Sequence, residues 1–229
     1  MTAAEQRRRL KAVLARLKKA HGRPERHHDD DPVGALVGTV LSQNTNAANS
    51  SAGYRSLVER FTDWDQVADA PTGEIRRCIR TAGLAATKAP RIRSILRRIR
   101  RDRGRIELGF LAGLHPRRAY EYLVGFEGVG PKTAWCVLLF AFDLDVFPVD
   151  THIRRIAVRL GVLDDGASAE RAHDVLTPLV APGDRYDMHV LLIAHGRRTC
   201  LAGRPRCQRC CILVHCPAGQ ETLARQAQF

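Results

Sequence analysis

The chain has 229 residues, of which 37 are basic and 24 acidic, giving a formal net charge of +13 at pH 7. Its 45% hydrophobic content can bury a full core in one large domain or two modest ones. No apolar run is long enough to span a bilayer, and a pI of about 10.1 points to a polyanionic partner, nucleic acid ahead of a membrane surface.

The opening MTAAEQRRRL lacks the apolar core of a signal peptide, so a cytoplasmic location is expected. In that setting the seven cysteines read as thiols or metal ligands rather than a disulfide framework.

Helical periodicity dominates from the first residues. Leu10, Val13, Leu14 and Leu17 form one apolar stripe, stopped by Gly22 and Pro24. His27, His28, Asp29, Asp30 and Asp31 look metal-like by composition but read as a solvated linker. Asp31-Pro32 opens a second helix with Leu36, Val37, Val40 and Leu41 inward. Tyr54, Leu57, Val58 and Phe61 mark a third, and Ile75, Cys78 and Ile79 a short fourth that closes near Gly83. Ile92, Ile95, Leu96 and Ile99 belong to a fifth that ends at Gly104; Pro116 starts a sixth. Pro131 begins a run, KTAWCVLLFAF, that is apolar nearly all round and so predicts a central buried helix; a strand over VLLFAF is the alternative. Asp150 opens another helix, and Ser168 and Asp184 look like caps for two more. With no repeat and no alternating strand pattern, the expectation is all-α, with about ten helices.

Between two of these helices lies GFEGVGPKTAW, residues 125–135. Gly128 and Gly130 permit positive φ and leave the backbone bare, and Pro131 suits a first helical turn. The exposed N–H groups of such a hairpin suit a phosphate, although an ordinary helix–turn–helix connection has the same look. Lys132 sits where the helix macrodipole disfavours a cation. Only five of the 37 basic residues are lysine, so its choice here asks for a reason. It salt-bridges, grips phosphate, or works as a primary amine able to form a Schiff base. Downstream, Asp150 caps its helix and has an oxygen left over for a second task. His152 is either a helix-surface residue or a polar pocket lining.

Cys200, Cys207, Cys210 and Cys216 have the spacing C-x6-C-x2-C-x5-C. Four thiolates within so short a stretch suit zinc or a [4Fe–4S] cluster. Cys211 duplicates a neighbouring position and reads as a packed or exposed thiol; Cys78 and Cys136 read as core residues. Arg204 and Arg206 lie in the loop between the first two ligands, where they suit phosphate contact.

Taken together, GVGPKTA, VDTH, HGRRTC and the cysteine spacing resemble endonuclease III, of the helix–hairpin–helix DNA glycosylase superfamily, from about residue 30 to 216. That resemblance implies two α-helical domains with DNA bound between them. Residues 26–144 would form a six-helix barrel domain with the hairpin motif at about 115–134. Residues 1–25 and 145–229 would form a discontinuous [4Fe–4S] domain. It further implies that the chain is a base-excision repair enzyme acting as a monomer on damaged double-stranded DNA, removing oxidised pyrimidines. Lys132 would attack C1′ and Asp150 would be the essential carboxylate. Gln43 or Asn44 in LSQNTN, and Leu84 in TAGLAATKA, would fill the helix opened by base flipping. Relatives specific for adenine or mismatches usually lack the lysine. Two departures stand out: Glu127 replaces a frequent proline, and Ala82, Ala85 and Ala86 make the second wedge loop small. A glycosylase of altered specificity, a lyase acting only on abasic sites, and a non-catalytic Fe–S DNA-binding protein are the rival readings.

Overall fold

The computed structural model describes residues 1–26 and 29–227, with Ala169 described by its backbone alone. His27 and His28 lie outside the described residues. Among those described there is no strand, and no helix is long and apolar enough to cross a membrane.

Twelve α-helices are present among the described residues: α1 (Ala3–His21), α2 (Pro32–Leu41), α3 (Ala47–Arg60), α4 (Trp64–Asp69), α5 (Thr72–Cys78), α6 (Ala85–Arg103), α7 (Pro116–Val124), α8 (Pro131–Phe142), α9 (Thr151–Arg159), α10 (Ala169–Leu176), α11 (Arg185–Arg198) and α12 (Pro217–Gln226). Two exceed the sequence expectation. Helix α4 has only six residues, too few to show a period, and is set by its cap, the Asp63 carboxylate accepting from the Gln66 N–H at 2.7 Å. Helix α12 starts with a proline directly after Cys216 and is polar on most sides.

Local chemistry places the helix starts. Thr2 and Glu5 close a capping box on α1. Asp31 accepts from Val33 N–H and also from the Trp64 indole N–H at 2.8 Å, so it is a built cap rather than a solvated linker residue. Asn46, Asp150 and Ser168 cap α3, α9 and α10. Asp184 precedes α11 without a capping hydrogen bond, because its carboxylate is taken by Lys18 at 3.1 Å. Val58 is exposed rather than inward: the buried stripe of α3 runs through Ser50, Gly53 and Leu57.

The chain divides into two compact units, residues His27–Leu144 and residues Met1–Arg26 with Asp145–Phe229. The first holds α2–α8. Helix α8 is buried from Thr133 through Leu139 and packs on α2 and α7, so VLLFAF is helical and central to its unit. Leu36, Val37, Val40 and Leu41 of α2 and Ile92, Leu96 and Ile99 of α6 complete that core.

The second unit holds α1 and α9–α12. Leu10, Val13, Leu14 and Leu17 of α1 share a core with Ile153, Ile156 and Leu160 and with Leu191 and Leu192 of α11. Each such side chain contributes about 1.5–3 kcal/mol by leaving water. An ion pair locks the two ends of this packing. Asp187, in the first turn of α11, accepts from Lys18 at 2.8 Å and from Arg23 at 3.2 Å, with its side chain only 3% exposed. Acid at a helix N-terminus and base at a helix C-terminus both oppose the macrodipole favourably. Burial by itself would raise the Asp187 carboxyl, but the hydrogen bonds from Lys18 and Arg23 outweigh it and hold the group below the usual range.

A carboxyl lowered on folding contributes stability that is present above its unfolded value, about 3.9, and lost as pH falls through the lower folded value. Asp187→Asn is therefore expected to cost about 2 kcal/mol near neutral pH and much less near pH 3, where the parent has lost the same contribution. Urea denaturation of both proteins at the two pH values measures this. An equal gap at both would remove the ion pair from the stability of this unit.

Candidate active site and metal centre

The turn between α7 and α8 is a tight hairpin. Val129 N–H donates to the Phe126 carbonyl at 3.1 Å, while the N–H groups of Gly128 and Gly130 find no acceptor among the described residues. Gly128 has φ +79°, and a Cβ there would lie 2.7 Å from Cδ of Arg91, so glycine is required twice over. Glu127 is exposed and makes no ion pair among the described residues.

Lys132 follows in the first turn of α8 and is half-buried. Its amine has no hydrogen-bond or ion-pair partner among the described residues. This is unusual in a chain whose other inward-facing lysines are engaged: Lys18 by two carboxylates, Lys88 by two backbone carbonyls.

Two loops of the same unit carry the expected wedge residues. Gln43 is half-buried and its amide donates to the Gly128 carbonyl at 3.0 Å and the Thr133 hydroxyl at 3.2 Å, tying the first loop to the hairpin. Asn44 is exposed, with φ +53°. Leu84 is 56% exposed, with φ +49°. Arg91, which no sequence motif marks, packs over Gly128 with a buried Nε that has no partner among the described residues. Lys88 is likewise unmarked. An arginine in an amphipathic helix and a lysine beside a buried stripe carry no local mark of either position.

Asp150 lies in the other unit, at the start of α9. Oδ1 accepts from the Ile153 N–H at 2.8 Å, and the second oxygen has no partner among the described residues. The cap fixes the carboxylate and leaves it one free acceptor. His152 packs against Gly196, where a Cβ would come within 2.8 Å of the histidine's own. Its Nδ1 lies 3.0 Å from an Arg155 nitrogen. Because a guanidinium only donates, Nδ1 is the acceptor and a neutral His152 carries its proton on Nε2.

The C-terminal half of α9 grips the cysteine loop. Arg155 donates to the carbonyls of Cys200, at 2.7 Å and 3.1 Å, and of Gly196, at 3.0 Å. Arg159 donates to the carbonyls of Leu201 and Ala202, both at 2.8 Å, and to the Cys200 sulfur at 3.1 Å. These two arginines stand at i and i+4, one turn apart on the same face of α9. Arg204 and Arg206 are exposed, and neither guanidinium has a partner among the described residues.

Cys200, Cys207, Cys210 and Cys216 line one cavity of about 250 Å³, walled by Ile156, Ile212 and Leu213. Burial pushes the Cys210 thiol up to about 11 and raises that of Cys216, so a cation bound here must displace protons. Cys211 does not line this cavity. It groups with His21 and His195, their ligand atoms lying within 4.8 Å of one another. His195 also faces Cys210, its Nε2 being 3.6 Å from the sulfur; burial, aided by His21, pushes it down to about 4 and keeps it neutral. Four sulfurs around one largely apolar cavity suit a soft, thiolate-bound metal group.

The model of a family described as HhH-GPD superfamily base excision DNA repair protein matches residues 37–182. Endonuclease III of Sulfolobus acidocaldarius is 32% identical over 183 residues, covering 79% of this chain and 79% of the relative. The Arabidopsis thaliana protein At3g47830 is 38% identical over 169 residues, covering 74% of this chain; the match spans only 58% of that longer relative. Among solved structures, a non-covalent endonuclease III–DNA complex is similar with a TM-score of 0.82 at 25% identity, covering 98% of this chain and 99% of that one. An all-helical chain with a lysine-bearing glycine hairpin and a four-cysteine cavity, and with these relatives, belongs to the endonuclease III family of base excision DNA repair glycosylases.

Proposed function

We propose that this chain is a bifunctional DNA glycosylase and abasic-site lyase that removes oxidised pyrimidines from double-stranded DNA, working as a monomer. The observation that carries the reading is the Lys132 amine, half-buried at a helix start and bound to nothing among the described residues. An amine held for charge alone would be paired or replaced by arginine, as it is almost everywhere else in this chain.

In this reading residues 26–144 are the barrel and hairpin domain, and residues 1–25 with 145–229 are the cluster domain. The bare N–H groups of Gly128 and Gly130 take a strand phosphate, and Arg204 and Arg206 take others. Asn44 or Gln43, with Leu84, fills the space left by the flipped base; the exposure of Asn44 and the hairpin bonds of Gln43 favour Asn44. His152 offers its Nε2–H to the DNA from its own unit.

Lys132 Nζ forms a bond to C1′ as the bond from C1′ to the base breaks, and the base leaves with a proton. Loss of a proton from nitrogen and opening of the sugar ring at C1′–O4′ give a protonated Schiff base. Removal of a C2′ proton then breaks the C3′–O bond and releases the 3′ phosphate. The free oxygen of Asp150 stabilises the developing cationic sugar and carries protons in these steps.

Cys200, Cys207, Cys210 and Cys216 are the residues to hold a [4Fe–4S] cluster, which when bound supplies a rigid crosslink that orders the Arg204–Arg206 loop. The lesion preference is inferred from the lysine-bearing branch of the family, and the small residues Ala82, Ala85 and Ala86 leave Leu84 as the bulky side chain of its loop.

Lys132→Arg keeps a cation, and Lys132→Gln keeps a polar side chain. Both should abolish strand cleavage and borohydride trapping on abasic DNA while duplex affinity stays within about threefold, since the phosphate contacts lie elsewhere. Asp150→Asn should keep the helix cap and cut turnover about a hundredfold or more. Substantial cleavage by Lys132→Arg would return this lysine to phosphate binding. For the metal, the purified chain should carry about four irons and a yellow-brown colour. Cys207→Ser should lose both, and Cys211→Ser should keep both. A colourless, zinc-bound protein prepared without oxygen would overturn the cluster assignment.

A further inference from the structure

Lys88 is a buried cation with no acidic partner among the described residues. Its side chain is 2% exposed, and its ammonium donates to the Leu41 carbonyl at 2.7 Å and the Ala82 carbonyl at 2.8 Å. Burial alone holds its amine below the usual lysine value. A methionine or leucine would fill similar space at no desolvation cost, so the position is expensive unless the two donations do something an apolar side chain cannot.

The two acceptors are informative. Leu41 is the last residue of α2, where an unbonded helix-end carbonyl attracts a cation. Ala82 is the last residue of the 3-10 turn Arg80–Ala82. Beyond the first lies Asn44 and beyond the second Leu84. These are two of the three non-glycine residues with positive φ among the described residues. A left-handed backbone is disfavoured for any residue with a Cβ, least for asparagine, and persists where its surroundings pin it on several sides. Both side chains are exposed. One ammonium thus holds the base of two strained loops whose tips both face solvent.

We infer that Lys88 is a positioning residue for duplex opening: by bridging the Leu41 and Ala82 carbonyls it sets the spacing of the Asn44 and Leu84 loops, so that both side chains enter the DNA helix in register. The inference rests on the glycosylase reading above for the role of those loops. Lys88 itself touches neither base nor sugar. Its removal therefore impairs reactions that require the helix to be opened and largely spares chemistry on a sugar already accessible.

The test uses the full chain purified with its metal. Opening is read as the fluorescence rise of 2-aminopurine placed opposite a tetrahydrofuran abasic analogue in duplex DNA. Excision is read in a single turnover on a duplex containing thymine glycol. Chemistry alone is read as borohydride trapping on an abasic site in a single-stranded oligonucleotide. Lys88→Met is expected to lower opening and duplex excision about tenfold or more, since ångström-scale misplacement costs up to about a hundredfold. Trapping on the single strand should fall less than about threefold, because no opening is needed there. Lys88→Arg keeps a cation with paired donors and should recover at least a third or so of the opening. Opening and excision unchanged in Lys88→Met would overturn the inference. So would equal losses in all three assays, which would mark a purely structural lysine. If Lys88→Met does not fold, Lys88→Arg decides: lost opening at the parent melting temperature overturns the proposal. A parent chain that traps nothing would overturn the lyase reading instead, and the 2-aminopurine signal would still decide the role of Lys88.

Discussion

The grip of α9 on the cysteine loop is the constraint on which the chemistry of its unit depends. Arg155 and Arg159 place several donors on the carbonyls of Gly196, Cys200, Leu201 and Ala202 and on the Cys200 sulfur. The opposite end of the same helix is the Asp150 cap. At a rise of about 1.5 Å per residue, the two ends of this nine-residue helix are within about 14 Å. A shift of the cysteine loop is therefore a shift of the carboxylate. In the proposed reading this gives a metal group held by the four cysteines a physical reason to matter: it would anchor the loop, the loop anchors the helix, and the helix would aim Asp150.

Lysine is used sparingly, and the inward-facing ones show why. Lys18 satisfies two carboxylates at once, where a compact point charge fits between Asp184 and Asp187. Lys88 bridges two carbonyls in a space closed to solvent. Lys132 bonds to nothing among the described residues and stays available as an amine. Arginine performs the planar, forked and exposed tasks: gripping carbonyl clusters, pairing across surface helices, and presenting charge at Arg204 and Arg206 that has no partner among the described residues. The division follows from the chemistry of the groups, since a guanidinium holds its proton at any working pH and an ammonium can give its proton up.

The hairpin shows how backbone and side chain share a site. Gly128 accommodates the Arg91 stem and leaves N–H groups bare, while its carbonyl receives the Gln43 amide. The same few residues thus present donors outward and hold the Gln43 loop inward. Helix α8 makes this rigid because it is apolar on all sides, so its first turn, with Lys132, cannot rock without opening the core.

Several features were determined by the sequence on its own. The all-helical class followed from periodicity at three and four residues. Helix starts at Asp31, Asp150 and Ser168 follow from side chains that bond their own backbone a few positions on, which needs no tertiary partner. The cysteine spacing and the lysine after a glycine hairpin are likewise local patterns. The tertiary structure alone decided matters of long separation. Asp184 has the residue type of a cap but spends its carboxylate on Lys18, 166 positions away. Val58 fits an apolar stripe yet faces solvent. Adjacent Cys210 and Cys211 are indistinguishable in the chain, and only packing sends one into the four-cysteine cavity and the other toward His21 and His195. Lys88 looks like any helix-surface lysine until its acceptors, 6 and 47 residues away, are brought to it. Caps and periods are short-range energies written along the chain, whereas the partner of a buried charge depends on which segments the core brings together.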